Sequence, residues 1–178
     1  ADSHQYVLNP PATEADVAAF EADFSIQLPD CYKAFILHIG NGGIGGNGSA
    51  AGPYLGIFPL GSKVDTLIFD DVEQYLKNQC LIYPKMTDEY WESLFAKSPD
   101  DDSVTDEAIE KARGRRFAGV LPIGSQGCTY LHGIVLNGPH KGKVVNLDED
   151  GQKPNFTFEN NFLDWYERWL DEIISGDL

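Results

Sequence analysis

Phe162, Trp165, Tyr166, Trp169, Leu170, Ile173 and Ile174 fall on one face when the chain is wound at helical pitch. This is the cleanest apolar stripe in the sequence. It predicts a C-terminal helix capped by Asn160 or Asn161. Burying it contributes on the order of 10 kcal/mol before entropy is subtracted, at roughly 1.5–3 kcal/mol per large side chain. Near the other end, Val17, Phe20 and Phe24 stripe a helix over residues 14–24. Thr13 is its N-cap, and Glu14 and Asp16 put negative charge in the first turn. Ser25-Ile26-Gln27 links it to a second helix, striped by Leu28, Tyr32, Phe35, Ile36 and Ile39. Pro29 suits the first helical position, where its missing N–H is not needed. Gly40 is expected to end that helix in the left-handed conformation.

The pattern is less regular in the middle. Tyr54–Phe58 reads as a first strand ended by Pro59, and a helix is expected from about Asp70. Thr87 caps another, striped by Tyr90/Trp91, Leu94 and Phe95, and Thr105–Arg113 predicts one more, acidic early and basic late. From Phe117 the period changes from helical to alternating. Residues 117–124, 128–137, 143–147 and 155–158 read as strands. Turns are expected at Gly124–Gly127, Asn137–Gly142 and Asp148–Gly151. Consecutive strands with short turns pair antiparallel. The expected fold is a single α+β domain over 1–178, with an antiparallel sheet of about four to six strands, an N-terminal helix pair and a C-terminal helix packed on the sheet. Residues 1–9 read as a loose arm.

Composition narrows the function more than the fold. With 13 Lys and Arg against 28 Asp and Glu, the formal charge is −15. Phosphate binding needs clustered bases, so direct nucleic-acid or anionic-membrane binding is disfavoured, and a basic partner is favoured. The one basic cluster, Gly-Arg-Arg at 114–116, is short enough to be ordinary surface. No apolar run approaches a membrane span. Cys31, Cys80 and Cys128 are odd in number and far apart, which fits free thiols in a reducing cytosol better than a disulfide or metal framework. A cytoplasmic location is expected.

Several features together resemble a known family. An acidic helix is followed by Leu28-Pro29-x-x-Tyr32-x-x-Phe35, then Asn41-Gly42-Gly43. Pro122-Ile123-Gly124, a hairpin and Gly142-x-Val144 come later, and the chain closes on Phe162-x-x-Trp165-Tyr166-x-x-Trp169-Leu170. This arrangement is similar to the SUKH superfamily, in its Smi/Knr branch of cell-wall assembly regulators. Both ends of the chain match, while residues 76–116 read as a helical insert that departs from the pattern. The resemblance implies a fold and a binding role and brings no catalytic residues with it. Bacterial members are mostly immunity proteins that neutralise polymorphic toxins, many of them nucleases with basic surfaces.

Catalytic chemistry finds little support in the residues. Gly40-x-Gly42-x-x-Gly45 matches a dinucleotide fingerprint, yet it follows a helix where a strand is required and no helix opens after it. His4, His38, His132 and His140 lack metal-ligand spacing. His132 alternates with Tyr130 and Ile134 on one strand face, placing it to line a cleft or the core. Cys128 and His132 share that face but stand more than roughly 12 Å apart, too far for a thiol–imidazole pair. Asp148-x-Asp150-Gly151 is a fragment of a calcium loop without its later ligands. The reading is a non-catalytic protein-binding domain without cofactor or metal, of the toxin-neutralising immunity type, whose partner is a basic, nuclease-like toxin. The alternatives are a regulatory adaptor and a small-ligand binder using the 40–52 loop or the His132 face. The expected partner-binding residues are the acidic loops Asp100, Asp101, Asp102 and Asp148, Glu149, Asp150.

Overall fold

The computed structural model describes residues 6–43, 50–95 and 104–177. Helix α1 (Glu14–Phe24) opens on a capping box in which Thr13 and Asp16 satisfy each other's backbone N–H groups. Thr13→Ala should lower the unfolding free energy by about 1 kcal/mol, read as a small shift of the urea midpoint. Helix α2 (Asp30–His38) follows, with Pro29 as its N-cap, one position earlier than expected. Glu21 joins the two helices, accepting from the Leu28 N–H and from the Lys33 ammonium, each at 2.8 Å.

Gly40 is not left-handed. The helix cap is Ile39, in the right-handed region, and the left-handed residue is Gly42. Glycine is needed at 40 for closeness, because a Cβ there would stand 2.9 Å from the Asn9 carbonyl oxygen. That contact exists because the segment expected to be a loose arm is tied down from Val7 onward. Val7 bridges Ala50 in parallel, and the Asn9 N–H donates to the Gly42 carbonyl at 2.7 Å.

The middle of the chain forms helices α3 (Val72–Lys77), α4 (Asp88–Ser93) and α5 (Asp106–Arg116). Thr87 caps α4 as expected, and Thr105, expected inside α5, is its N-cap. Helix α5 runs on through Gly114 to Arg116, and position 114 is glycine because the Tyr75 ring occupies the space of a side chain, with a Cβ there only 2.3 Å from it. Strands β1 (Val120–Gly127), β2 (Tyr130–Val135), β3 (Val144–Asp148) and β4 (Asn155–Phe156) form one antiparallel sheet in sequence order. Helix α6 (Phe162–Ser175) ends the fold, capped by Asn161.

Two expectations about the strands change. The Gly124–Gly127 turn is absorbed into β1 through two register irregularities, and the hairpin instead turns at Cys128, which is left-handed. Tyr54–Phe58 is not a full strand. It runs beside β1 through bonds from the Leu55 and Phe58 N–H groups to the Ser125 and Ile123 carbonyls, with a single bridge at Ile57. Left-handed Tyr54 and Gly56, at positive φ, curl it out of continuous pairing.

Alternation along the strands separates two apolar cores. On one face, Leu121, Ile134 and Val144 join Tyr32, Phe35 and Ile36 of α2 and Phe162, Trp165, Tyr166 and Trp169 of α6. The Phe162 ring meets those of Tyr32 and Phe35 edge-on at 5.0 and 5.1 Å, an arrangement that aromatic quadrupoles favour. On the other face, Val120, Leu131, Val145 and Leu147 join Phe58, Leu67, Ile68, Ile82, Met86, Trp91 and Phe117. The sheet is therefore covered on both sides, and the second cover comes from residues 58–117, with Ile82, Met86 and Trp91 lying in the 76–116 segment.

Candidate functional site

Period-two alternation along β2 turns Tyr130, His132 and Ile134 toward the α6 face. Their register partners on β3 are Asp148, Asn146 and Val144. On β1 the partners of Tyr130 and His132 are Gly127 and Gly124, which have no side chains to fill this end of the sheet. Ile134 is core, but beyond it the face becomes polar: Gln126, Tyr130, His132, Asn146 and Asp148 gather at the end of the sheet where Trp165 of α6 meets His132.

A chain of hydrogen bonds fixes the state of His132. The Gln126 side-chain amide donates to the Leu131 backbone carbonyl at 2.9 Å, so its nitrogen end is anchored there. The same nitrogen donates to the Asn146 side-chain oxygen at 3.1 Å. That oxygen faces His132 Nδ1 at 3.0 Å, so Nδ1 carries the proton and donates. Nε2 is left with a lone pair and has no hydrogen-bond partner among the described residues. His132 is 2 % exposed. Burial pushes its pKa down to about 4, against a smaller upward pull from Asn146, and the imidazole is neutral at physiological pH.

Two aromatic rings close over the imidazole. Trp165 meets it edge-on at 4.9 Å and Tyr54 lies at 5.6 Å. Tyr54 is 67 % exposed and sits in a tight turn closed by the Gly56 N–H donating to the Pro53 carbonyl at 3.0 Å. It was read from sequence as part of a strand. Gln126 and Asn146 were not singled out either, although an asparagine inside Val144-Val145-Asn146-Leu147 is the kind of polar break that signals a buried amide.

The acidic turn adjoins this cluster. Asp148 is 3 % exposed, and its carboxylate accepts from the Asp150 and Gln152 N–H groups at 3.3 and 3.2 Å. It holds the turn together instead of facing a partner. The Gln152 side chain in turn donates to the Tyr130 hydroxyl at 3.0 Å. Asp150 is exposed and Glu149 half-buried, with burial raising the Glu149 pKa. Asp100, Asp101 and Asp102 lie outside the described residues.

Other candidates disperse. Cys128 is exposed at the hairpin tip and does not approach an imidazole as part of the strand. Gly40 and Gly42 serve the packing of chain on chain, since a Cβ at 42 would stand 2.3 Å from the Phe58 backbone; Gly45 lies outside the described residues. Among the described residues no cluster of His, Cys, Asp and Glu is arranged to hold a metal, and no helix is long and apolar enough to cross a membrane.

Comparisons with curated proteins and with solved structures return no match. A comparison with family models does. From residue 11 to residue 168, which takes in helices α1 to α5, the whole sheet and the first half of α6, the chain matches the SMI1 / KNR4 family (SUKH-1), and it belongs to that family.

Proposed function

We propose that this chain is a non-catalytic binding protein of the immunity type, which docks on a basic, nuclease-like toxin domain and masks it. The observation that carries the reading is the charge of −15 on a domain of this family. An acidic surface meets a phosphate-seeking one with complementary potential, which speeds encounter and excludes wrong partners. The docking face in this reading includes the 148–151 turn and the 100–102 run. Asp148 is the exception within the set: it shapes the turn, and Glu149 and Asp150 supply the charge.

The test is capture on the immobilised full chain at low salt, elution by a salt step, and assay of the eluted polypeptide. A stoichiometric basic polypeptide whose nuclease activity falls when this chain is added back is the expected result. An eluted partner whose activity is untouched would replace inhibition by an adaptor role. Charge reversal of Asp100, Asp101, Asp102, Glu149 and Asp150, with Asp148 kept, should slow association by about tenfold or more and flatten its salt dependence. An unchanged association rate would remove these loops from the interface.

A further inference from the structure

We propose that the outer face of helix α6 is a docking surface for a basic amphipathic helical segment of the protein partner. The inference rests on the basic-partner reading above and adds an apolar anchor to it. Helix α6 buries one side in the first core through Phe162, Trp165, Tyr166 and Trp169. At about 3.6 residues per turn, Leu163, Leu170 and Ile174 fall on a single line along its flank. Leu163 is half-buried against the core, Leu170 is 39 % exposed and Ile174 is 81 % exposed. The apolar surface therefore continues out of the core onto the open side of the helix.

Charge decides what covers this line. Glu167 and Asp171, one turn apart, run beside it and are exposed. Among the described residues no cation pairs with either. Arg168, the one cation of α6, is already engaged by Glu159 and Glu172. The last turn of α6 holds no basic residue, and the negative end of the helix dipole lies there too. Other occupants fail on charge. A second copy would bring −15 against −15. The chain's own segments outside the described residues, 1–5, 44–49, 96–103 and 178, hold one lysine against four aspartates. An anionic lipid surface is repelled as well. A helix with two apolar residues one turn apart, and lysines or arginines on either side, complements both the apolar line and its acidic flank.

The test uses the full chain at low salt, followed by NMR through its backbone amides and its leucine and isoleucine methyl groups. The probe is an amphipathic, helix-forming peptide of leucine and lysine. The expected result is a saturable movement of the Leu170 and Ile174 methyls, larger than that of the Glu149 and Asp150 amides. A serine and lysine peptide of the same charge should move them severalfold less. Leu170→Ser with Ile174→Ser, both at exposed positions, should weaken the leucine–lysine peptide severalfold, read at the α6 amides. Glu167→Lys with Asp171→Lys should do the same and flatten the salt dependence. No saturable movement at α6 overturns the proposal, as does a response centred on the 148–151 turn. So does an equal response to the serine peptide, or either double variant binding as tightly as the native chain. A partner from the capture assay that binds the Leu170→Ser, Ile174→Ser chain undiminished overturns it too. Because the titration uses no toxin, its failure beside a salt-sensitive, inhibitory complex removes only this surface. Failure of the capture assay bears on the wider reading.

Discussion

Trp91→Ala should lower the unfolding free energy by about 3–5 kcal/mol, the range for deleting a large buried aromatic. Trp91 is 3 % exposed and sits among Phe95 and Phe117, with the Arg116 guanidinium 5.4 Å from its ring. Its indole N–H donates to the Gly151 carbonyl at 2.9 Å. The substitution therefore opens a cavity, leaves that carbonyl without its donor, and strips one aromatic wall from a largely buried guanidinium. Urea unfolding followed by circular dichroism checks it. Trp91→Phe keeps most of the packing and loses the hydrogen bond, and should cost about 1–2 kcal/mol. A loss below about 1 kcal/mol for the alanine variant would mean that residues 58–117 lie on the sheet without being cooperative with it. The expected loss means instead that this cover unfolds together with the sheet.

The second large effect is on acid stability. An unfolded chain protonates His132 near 6.5, whereas the folded chain resists protonation until about 4. Above about 6.5 both states hold the ring neutral, and this group contributes no pH dependence. As pH falls below that value the unfolded state binds the proton and the native state does not, so stability declines. The decline is complete below about 4, where both states are protonated. Over that window the loss is on the order of 3 kcal/mol. The groups packed around the ring are Gln126 and Asn146, which do not titrate, Trp165, and the Tyr54 phenol; the Asp148 carboxylate is turned into its own loop. Urea midpoints measured across pH 4 to 6.5 should therefore slope steeply in the native sequence and much less in His132→Phe. Comparing slopes within each protein removes the constant cost of the lost Asn146 bond. Parallel slopes would show that water or a charge reaches the imidazole in the folded state.

The two effects belong to opposite faces of the sheet. Trp91 and its neighbours form one of the two apolar cores. The His132 face is apolar only as far as α6 reaches and becomes a set of partnered amides and one unsatisfied nitrogen beyond it. A domain gains nothing in stability from leaving a buried acceptor without a donor.

How much of this the chain announces in advance depends on the range of the interaction. The helical stripe from Phe162 to Ile173, the Thr13 and Thr87 caps, the antiparallel run of β1 to β4 and the family itself were all readable, because period, capping and turn chemistry act within a few residues. The excess of carboxylates needs no structure at all. Only the tertiary structure decided that Gly40 is required by Asn9 and Leu8, that Gly114 continues a helix under Tyr75, and that Asp148 serves its own turn. It alone brought Tyr54, Gln126, His132, Asn146 and Trp165 to one point. Those residues come from four separate elements and a turn, and no local period links them. Their meeting is set by strand register and by which face each strand turns to α6, and both emerge only when the whole core packs.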